Sequence, residues 1–352
     1  MGDARALFDI QADAPKDLRQ LRICLVLPTR NEAATIERIV EQIRAAFRAH
    51  DLKPPILLIT DDSHDATREI ARGLGVHVVI GGGKGLGVAM ERGLKASLIL
   101  RPDVIMSADA DGQSDMNEIM RFLNPIATGE TDLVIGSRFL EPELIQYRYK
   151  MVNRFGILVL SRMLRWITKL PFTDSHGGLR AMRPEVVRFL EIIGTHTYVQ
   201  ETIIDAYEKG YRIKEVPSKW YPRIQGKSQV VGSLAKYVMY TLPILIIRAG
   251  AHIRWSYTAA CALMTVALGY FLFVMWQSAF DLTRMFSRLP ALVFISMMIM
   301  ASIQLFTLGF LTEIIGGIKL RVDRLSLGRI DQLNQSTSCV LQDEPEITSV
   351  PT

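Results

Sequence analysis

The sequence predicts an α/β protein whose mostly parallel sheet is covered by helices on both faces and is followed by a two-helix transmembrane hairpin. Short apolar segments alternate with amphipathic segments between residues 21 and 136, which is typical of such a sheet. Two uncharged segments, 256–280 and 289–312, follow near the C-terminus. Each reaches the roughly 20 apolar residues that cross a bilayer, and together they explain why 49% of the chain is hydrophobic.

The alternating segments predict the order of elements in the α/β region. The predicted strands are 22–27 (RICLVL), 56–60 (ILLIT), 77–80 (HVVI), 104–108 (VIMSA) and 132–137 (DLVIGS). The predicted helices are 33–49, 66–74, 86–100 and 116–123. Because residues 1–20 and 332–352 are polar and aperiodic, we predict flexible tails there.

The distribution of basic residues predicts the orientation of the hairpin. Its connecting loop, DLTRMFSRL, holds only Arg284 and Arg288. More basic residues flank the other ends of the two apolar segments: Lys236, Arg248, Arg254, Lys319, Arg321, Arg324 and Arg329. By the positive-inside rule we expect the N-terminal region to be cytosolic. The first residues lack an apolar core, so we expect no signal peptide there.

These patterns divide the chain into segments along its length. The expected segments are a tail (1–20), a cytosolic α/β domain (21–230), a juxtamembrane interfacial helix (231–255), two transmembrane helices (256–280 and 289–315) and a cytosolic C-terminal tail (316–352). The three cysteines show no metal-binding spacing.

Residues 144–170 of the α/β domain are expected to form basic helices at the membrane interface. Residues 144–173 contain no acidic residue, and leucines, valines and Trp166 separate the basic ones. The basic residues are Arg148, Lys150, Arg154, Arg162, Arg165 and Lys169. This composition favours an anionic membrane surface; a solvated helix face is the alternative. Nucleic acid is not an expected partner, because the neighbouring spans already supply a membrane.

The segment SADADGQSD (107–115) places two aspartates where a predicted strand ends. Asp109 and Asp111 would repel each other unless a cation lies between them, and hard oxygen ligands favour Mg²⁺ or Mn²⁺. Ligands of open α/β sheets bind at the carboxyl ends of strands. A solvated Asp-x-Asp-Gly turn is the alternative, whereas a calcium loop is excluded by the position of Gly112.

A glycine-rich segment, GGGKGLG (81–87), precedes the third predicted helix. It matches neither the phosphate loop of nucleotide triphosphatases nor the dinucleotide-binding fingerprint. It does place Lys84 at a helix N-terminus, where free backbone N–H groups and a cation favour phosphate oxygens. The alternative is a glycine-rich turn with an exposed lysine.

Seven motifs in order carry a resemblance to a known family. They are LPTRNEA (27–33), DDSHDAT (61–67), GKGLGVAMERG (83–93), DADGQ (109–113), GSRF (136–139), DSHGGLRAM (174–182) and ETIIDAYEKGYRIKEVPSKWYPRIQGKS (201–228). In this order they resemble the family 2 glycosyltransferases with a GT-A (Rossmann-like) fold, specifically the polyprenyl-phosphate sugar transferases of the dolichyl-phosphate mannose synthase type. The resemblance covers roughly residues 21–325 and includes the hairpin.

The resemblance implies a nucleotide-sugar donor, of the UDP-glucose or GDP-mannose type. Its implied donor site comprises Pro28, Arg30, Glu32, Asp61, Asp62, Lys84, Asp109 and Ser228. Asp61 or Asp62 would contact the base, and Lys84 would approach the pyrophosphate. Asp109 and Asp111 would hold Mg²⁺ or Mn²⁺ on the diphosphate, with Gln113 beside them. Arg223, with residues 226–228, would close as a mobile loop over the donor.

The implied acceptor is a polyprenyl (undecaprenyl or dolichyl) phosphate. The residues that would receive its phosphate are Arg138, Arg148, Lys150 and Arg154. The implied catalytic residues are Asp111, Gln113, Arg138 and Arg223. A lipid monophosphate is already an anion near neutral pH, so it needs cations more than a general base, and direct displacement would invert the anomeric centre. Glu201 lies where relatives place an acid, and both a base role and a structural ion pair are open.

Two departures from the family pattern affect the donor. Thr60 stands at the first acidic position of the Asp-Asp-x-Ser-x-Asp motif, which leaves the base preference open. The loop ends in GKSQ instead of the commoner Gly-x-Ser-Lys, which removes one cation near the phosphates. The short hairpin favours the bacterial inner (plasma) membrane over the endoplasmic reticulum, and the resemblance implies association into homo-oligomers such as tetramers.

Three alternatives remain. A transferase acting on another membrane lipid with a hydroxyl acceptor would need a general base. A processive polysaccharide synthase usually carries Gln-x-x-Arg-Trp, and Arg165–Trp166 lacks that glutamine. An inactive membrane scaffold would be expected to have lost some of Lys84, Asp109, Asp111 and Arg223, all of which are present.

Overall fold

A computed structural model of the chain describes residues 17–141, 143, 151–174, 176–192, 194–195, 198–221, 251–279 and 281–342. The chain divides into two compact units, Met1–Arg248 and Ala249–Thr352.

The first unit is built on a seven-stranded sheet with the order β3-β2-β1-β4-β6-β5-β7. The strands are β1 (Ile23–Thr29), β2 (Ile56–Asp61), β3 (His77–Ile80), β4 (Val104–Ser107), β5 (Leu133–Ser137), β6 (Arg180–Met182) and β7 (Ile213–Pro217). Neighbouring strands pair in parallel, except that β6 is antiparallel to both β4 and β5. The predicted mostly parallel sheet is confirmed.

Helices cover both faces of the sheet. They are α1 (Ile36–Ala49), α2 (Thr67–Gly73), α3 (Leu86–Ser97), α4 (Ile119–Ala127), α5 (Met151–Thr168), α6 (Pro184–Phe189) and α7 (Val199–Glu208). Side chains alternate along each strand, so Leu25 and Leu27 of β1 pack in one core with α1 and α4. Cys24 and Val26 of β1 pack in a second core with α3 and α7.

The sequence pattern finds five of the seven strands. β6 and β7 are absent from the predicted elements because their sequences, RAM and IKEVP, lack a continuous apolar run. β6 is stabilised by its neighbours instead, since Met182 pairs with both Ile105 and Leu133. The helix expected at 116–123 is a 3-10 turn over Met116–Glu118 that continues as α4 to Ala127.

The parallel strands bring several loops to one edge of the sheet. β1, β2, β3 and β4 point the same way and end at Thr29, Asp61, Ile80 and Ser107. The antiparallel strand β6 begins at this edge, because Arg180 pairs with Ser107. The motif-bearing loops that follow these strands therefore meet here.

The second unit is a helical hairpin of α8 (Ala251–Gln277), the short α9 (Leu282–Phe286) and α10 (Leu289–Gln342). Trp255–Gln277 and Leu289–Ile315 are long and apolar enough to cross a membrane. Small and branched side chains are buried where the helices pack, including Ala260, Ala267, Val274 and Ile295. The Ser302 hydroxyl donates a 2.7 Å hydrogen bond across the hairpin to the Ala260 carbonyl.

Two tryptophans mark the ends of the first span. Trp255 and Trp276 are both 70% exposed, and the 21 residue steps from one to the other correspond to about 32 Å of α-helix. That length matches the hydrocarbon core of a bilayer, roughly 30 Å, with tryptophans at both interfaces.

α10 continues to Gln342, so residues 332–342 are helical where their pattern predicts no regular structure. No proline interrupts the chain between Pro290 and Pro345, and a helix propagates readily once it has formed.

A buried ion cluster lies at the N-terminal end of β5 and holds it in place. Asp132 is fully buried and accepts hydrogen bonds from the Arg212 backbone N–H at 2.8 Å and from its Nη2 at 2.9 Å. Arg183, just after β6, lies 3.5 Å from the same carboxylate. Burial opposes ionisation of Asp132, yet the hydrogen bonds and charge of Arg212 hold its pKa below the usual value.

Replacing Asp132 with Asn should destabilise the protein strongly. At pH 7 we expect the free energy of unfolding to fall by about 3–5 kcal/mol, because the buried Arg183 and the partly exposed Arg212 lose a fully buried carboxylate partner. Since the folded-state pKa is lowered, the stabilisation by Asp132 is complete above about pH 4 and is lost as the pH falls through the folded pKa. The difference between the variant and the wild type should therefore shrink under acid conditions.

Denaturant unfolding of the full-length protein in detergent, followed by circular dichroism at pH 7 and pH 3, tests this expectation. Glu130→Gln is the matched control, because Glu130 forms an exposed ion pair with Lys214 that is worth at most about 1 kcal/mol. Equal effects of the two substitutions would contradict the role given to Asp132.

Candidate functional site

Hydrogen bonds join the loops after β1 and β2. Asn31 adopts a left-handed backbone with φ of 57°, and its N–H donates to the Ser63 hydroxyl at 2.8 Å. The Asn31 side-chain oxygen in turn accepts from the His64 N–H at 3.0 Å. The Glu32 N–H donates to the Thr67 hydroxyl at 2.9 Å. Polar residues of the DDSHDAT motif therefore hold the LPTRNEA loop in place.

The two candidate base-contacting acids have different surroundings. Asp61 is fully buried and accepts hydrogen bonds from the Thr29 hydroxyl at 3.0 Å and from Arg68 Nη2 at 2.9 Å. Asp62 is partly exposed and accepts from the Gly83 N–H at 2.9 Å. Asp61 thus joins β1, β2 and α2, whereas Asp62 holds the glycine-rich loop against the end of β2. Contact with a nucleotide base by either residue remains a prediction.

Three other predicted donor-site residues lie at the end of β1. Pro28 is half-buried within the strand, and Arg30 is exposed directly after it. The Glu32 carboxylate accepts a 2.6 Å hydrogen bond from the Thr35 hydroxyl just before α1. The structure therefore brings these residues to the edge where the motif loops meet.

The glycine-rich loop depends on backbone conformations that other residues rarely adopt. Gly82, Gly83 and Gly85 have φ values of 96°, 67° and 108°. A side chain at Gly85 would collide with the carbonyl oxygen of Thr195, and the Gly87 N–H donates to that same oxygen at 3.0 Å. Lys84 is exposed two residues before α3 and has no hydrogen-bond or ion-pair partner among the described residues, as an anion-binding lysine at a helix N-terminus requires.

Asp109 and Asp111 lie in the loop that follows β4. Asp109 is partly exposed and Asp111 is 8% exposed. The Asp111 carboxylate accepts from the Gln113 N–H at 3.0 Å around Gly112, whose φ is 71°. The Tyr221 N–H donates a 2.8 Å hydrogen bond to the Gln113 carbonyl oxygen. The Gln113 side-chain amide donates a 3.2 Å hydrogen bond to the Tyr221 carbonyl oxygen. The acidic loop is thereby attached to the segment after β7.

Gly178 shapes the position of Asp109. A side-chain carbon at Gly178 would collide with the Asp109 carboxylate and would also lie 3.3 Å from the Trp220 ring. The Asp109 carboxylate therefore occupies the space that a larger residue at 178 would fill. Gly178 belongs to the DSHGGLRAM motif, but its contact becomes apparent only once β6 is seen to pair with β4.

The acidic pair fits a magnesium-type or manganese-type ion. Mg²⁺ is commonly held by one or two carboxylates together with substrate phosphates, which matches two aspartates beside a loop suited to phosphate. Within the described ranges, no group of three or more His, Cys, Asp or Glu side chains forms a complete metal site. The donor set of Asp109 and Asp111 therefore suits a hard cation whose remaining ligands come from substrate and water.

Arg138, predicted to bind the acceptor phosphate, is buried against the protein. Its Nη2 donates to Asp174 at 2.8 Å, its Nε donates to the same carboxylate, and its guanidinium lies 4.7 Å from the Trp220 ring centroid. Asp174 is fully buried, and Arg138 holds its pKa low despite burial, which acts in the opposite direction. The structure gives Arg138 this internal partner, and phosphate binding by Arg138 remains a prediction.

The remaining predicted residues are only partly covered by the structure. Arg148, Lys150, Arg223 and Ser228 lie outside the described residues, and Arg154 lies in α5. Further along α5, the exposed side chains are Leu158, Val159, Arg162, Arg165 and Trp166, with Lys169 just beyond the helix. This face combines apolar and basic groups, as the sequence predicts for an interfacial helix.

A group of buried polar residues next to the acidic loop has no predicted role. Arg180 is fully buried, its Nε donates to the Gly177 carbonyl at 3.0 Å, and its guanidinium lies 5.4 Å from the Tyr198 ring centroid. His176 lies 3.3 Å from the Gln200 amide nitrogen. Burial and the charge of Arg138 lower the pKa of His176 to about 4, so it is neutral at pH 7. The motif DSHGGLRAM contains His176 and Arg180 and is the sequence signal for this group.

Glu201, whose role the sequence leaves open, is buried in the first turn of α7. Its carboxylate accepts from the Gly194 N–H at 2.9 Å. The neighbouring Thr195 carries the carbonyl that receives the Gly87 N–H. Glu201 therefore helps to hold the segment that contacts the glycine-rich loop.

Replacing Gly178 with Ala should weaken divalent-cation binding. The added methyl group displaces the Asp109 carboxylate, and we expect the affinity for Mn²⁺ to fall by about tenfold or more, the equivalent of about 1.4 kcal/mol. Titration calorimetry of the full-length protein with Mn²⁺ provides the measurement. Gly73→Ala is the control, because nothing lies within 4 Å of a side-chain carbon there; an equal loss in both variants would contradict the assignment.

Comparison with known proteins agrees with this geometry. Residues 24–189 match the model of the family described as Glycosyl transferase family 2. Glycosyltransferase AglJ of Haloferax volcanii is 30% identical over 205 residues, which are 58% of this chain and 64% of that protein, less than two thirds of its length. The undecaprenyl-phosphate mannosyltransferase of Micrococcus luteus is 27% identical over 249 residues, covering 67% of this chain and 97% of that protein.

A solved structure shares the fold. The mannosyl-3-phosphoglycerate synthase from Rubrobacter xylanophilus superposes with a TM-score of 0.51 at 20% identity, covering 66% of this chain and 77% of that one. The glycosyltransferase fold implied by the sequence motifs is thus confirmed for the α/β unit. Residues 24–189, slightly less than half of the chain, are thus similar to glycosyltransferase family 2.

Proposed function

We propose that this protein transfers one sugar from a nucleotide-sugar donor, of the UDP-glucose or GDP-mannose type, to a polyprenyl phosphate at the cytosolic face of a membrane. The observation that carries this proposal is the acidic pair Asp109–Asp111 at the loop edge of a family 2 domain, in a chain that also has two candidate membrane spans. The first feature is suited to a diphosphate donor, and the second is suited to a lipid acceptor.

Several features support a nucleotide-sugar donor. The LPTRNEA, DDSHDAT and glycine-rich loops are hydrogen-bonded to one another and lie at the same edge as the acidic loop. Lys84 is exposed at the start of α3, where backbone N–H groups and its own charge favour a phosphate. A divalent ion held by Asp109 and Asp111 would supply neutralising charge to the departing diphosphate.

Other features support a lipid phosphate as acceptor. The Micrococcus luteus relative, of which this chain covers 97%, is an undecaprenyl-phosphate mannosyltransferase. The exposed face of α5 carries Trp166 together with Arg162 and Arg165, which suits an anionic membrane surface. The flanking basic residues of the hairpin favour a cytosolic α/β unit by the positive-inside rule. A bacterial inner membrane remains an expectation from the short hairpin, and a homotetramer remains an expectation of the resemblance.

The proposed reaction is a direct displacement with inversion at the anomeric carbon. An oxygen of the lipid phosphate forms the new bond to that carbon while the bond to the nucleoside diphosphate breaks. The phosphate enters as an anion, so no residue has to remove a proton from it. Arg138 and the basic residues that follow it would hold the acceptor phosphate in line, and Lys84 with Arg223 would bind the departing diphosphate.

Replacing Asp111 with Asn should abolish sugar transfer. We expect a loss of at least about a hundredfold in rate, as for the removal of other transition-state charge stabilisers. The assay uses full-length protein in detergent, undecaprenyl phosphate, Mg²⁺ or Mn²⁺ and a panel of labelled nucleotide sugars, with label counted in the lipid phase. Glu130→Gln, at an exposed surface ion pair, should keep wild-type activity.

The same assay identifies the donor and can overturn the proposal. Label entering the lipid phase from one donor would name the sugar and the base together. Binding of a nucleotide sugar without transfer to undecaprenyl or dolichyl phosphate would exclude a polyprenyl-phosphate acceptor. Products containing several sugars would indicate a processive synthase.

Glu201→Gln distinguishes a phosphate acceptor from a hydroxyl acceptor. Glutamine keeps a side-chain oxygen that can accept from the Gly194 N–H, so the local structure should be retained. With a phosphate acceptor we expect the transfer rate to stay within about tenfold of the wild type. A hydroxyl acceptor needs a general base, whose removal costs about 10²–10⁴-fold. A loss of that size, with an unchanged melting temperature, would favour a different lipid acceptor.

A further inference from the structure

The carboxylate of Glu215 on β7 binds the segment that connects α5 to β6. It accepts hydrogen bonds from the Thr173 N–H at 2.8 and 3.0 Å, from the Thr173 hydroxyl at 3.1 Å and from the Asp174 N–H at 2.9 Å. These three donors together use both carboxylate oxygens. Glu215 therefore holds residues 173–174 in place, although the sequence motifs assign it no role.

The surroundings of Glu215 are unfavourable to an acid. Glu215 pairs with the buried Ile135 of β5, and Ile213, on the same side of β7, packs against the second core. Burial raises the pKa of Glu215, the hydrogen bonds from Asp174 and Thr173 oppose this effect, and the charge of Asp174 adds to it. Because burial and the neighbouring charge both disfavour a carboxylate here, its contribution to the structure lies in its hydrogen bonds.

The segment that Glu215 holds is attached in turn to the end of β5. The Thr173 hydroxyl forms a 2.6 Å hydrogen bond with the hydroxyl of Ser137, the last residue of that strand. The Asp174 carboxylate accepts from the Arg138 backbone N–H at 3.2 Å, from Arg138 Nη2 at 2.8 Å and from Arg138 Nε. Asp174 thus binds both the main chain and the guanidinium of Arg138.

The sheet topology makes this chain of contacts possible. β7 pairs in parallel with β5, and Pro217, two residues after Glu215, pairs with Ser137. The contacts run from Glu215 through residues 173–174 to Arg138, the first residue after β5. Without the Glu215 carboxylate, two backbone N–H groups lose their acceptor, which is costly for partly buried groups. Residues 173–174 would then shift, and the Arg138 guanidinium with them.

We propose that Glu215 is a positioning residue for the acceptor phosphate, because it fixes Asp174 and thereby sets the orientation of the Arg138 guanidinium. The inference rests on the proposed function, since it assumes that Arg138 receives the acceptor phosphate. Glu215 does not touch the substrate and acts through Asp174. A cation that is misdirected by even a small distance binds an anion less well and aligns it less well for displacement.

The effect should be specific to the acceptor. The loops of the donor site are held by separate contacts, among them the bond from the Gly83 N–H to Asp62 and the bond from the Gln113 N–H to Asp111. Neither contact involves Glu215 or the residues that it binds. A change at Glu215 should therefore alter acceptor binding and leave donor binding unchanged.

The test measures KM values for Glu215→Gln in the sugar-transfer assay, with full-length protein in detergent, undecaprenyl phosphate and the donor that the wild type uses. Glutamine retains the size of the side chain but has one oxygen in place of two, and its NH₂ group cannot accept a hydrogen bond. We expect the KM for undecaprenyl phosphate to rise about tenfold, as for the loss of hydrogen bonds to a charged group. The KM for the nucleotide sugar should not change.

Lys214→Gln is the matched control, because Lys214 is the preceding residue of β7 and forms an exposed ion pair with Glu130. Both of its KM values should equal those of the wild type. A general loosening of the α/β unit by Glu215→Gln would raise both KM values and lower the melting temperature. Equal rises in the two KM values, or an unchanged KM for undecaprenyl phosphate, would overturn the inference.

A double-mutant cycle tests whether Glu215 acts through Arg138. Lysine at 138 cannot reproduce the two-point contact of the guanidinium with Asp174, so Arg138→Lys should itself raise the KM for undecaprenyl phosphate. If Glu215 acts by orienting that guanidinium, Glu215→Gln adds little in the Arg138→Lys background. Combined rises that equal the product of the two single rises would contradict this route.

Thr173→Val serves if Glu215→Gln fails to fold. It removes the hydroxyl that binds Glu215 and Ser137 but keeps the backbone N–H bonds. The KM for undecaprenyl phosphate should then rise about threefold, with an unchanged KM for the donor; no rise would overturn the inference. Failure of the proposed function would look different, because the wild type itself would transfer no sugar to undecaprenyl or dolichyl phosphate, and both proposals would fall.

Discussion

The antiparallel insertion of β6 between β4 and β5 is the constraint on which the rest of the α/β unit depends. Three residues, Arg180–Met182, pair on both sides and close the gap between the two halves of the sheet. At one end of β6, Gly178 lies against the Asp109 carboxylate, which also acts electrostatically on Arg180. At the other end, Arg183 reaches the buried Asp132, which also holds the start of β7 through Arg212. Sheet closure and site construction therefore use the same few residues.

Much of this arrangement can be predicted from the sequence, because the strands buried on both faces are continuous apolar runs. The apolar runs ILLIT and VIMS predict β2 and β4, and the loops after these strands carry motifs on which the family resemblance rests. β6 and the contact between Gly178 and Asp109 cannot be predicted in the same way. RAM contains a charged residue and is stabilised by pairing with strands about 50 and 75 residues away in the chain, information that no local pattern holds.

The motif residues of the site fall into two groups, one buried and holding loops in place, the other exposed to a ligand. Asp61, Asp174 and Glu201 are buried and accept hydrogen bonds from Arg68, Arg138 and the Gly194 backbone. Lys84 and Arg30 are exposed at the same edge. Acidic motif residues thus mainly fix loops, whereas the exposed cations are available to an anionic ligand. The resemblance alone does not separate these two groups, because both belong to the same motifs.

The tryptophans at the ends of the first span have a consequence for where the protein can reside. Trp255 and Trp276 are anchored about 32 Å apart along a helix, and an interfacial ring resists being drawn into hydrocarbon or out into water. A bilayer several ångströms thinner would force the hairpin to tilt, whereas a thicker one would have to thin around it, each at a cost of fractions of a kcal/mol per ångström. Lipid chain length is therefore an external variable to which the hairpin of this protein would respond mechanically once inserted in a bilayer.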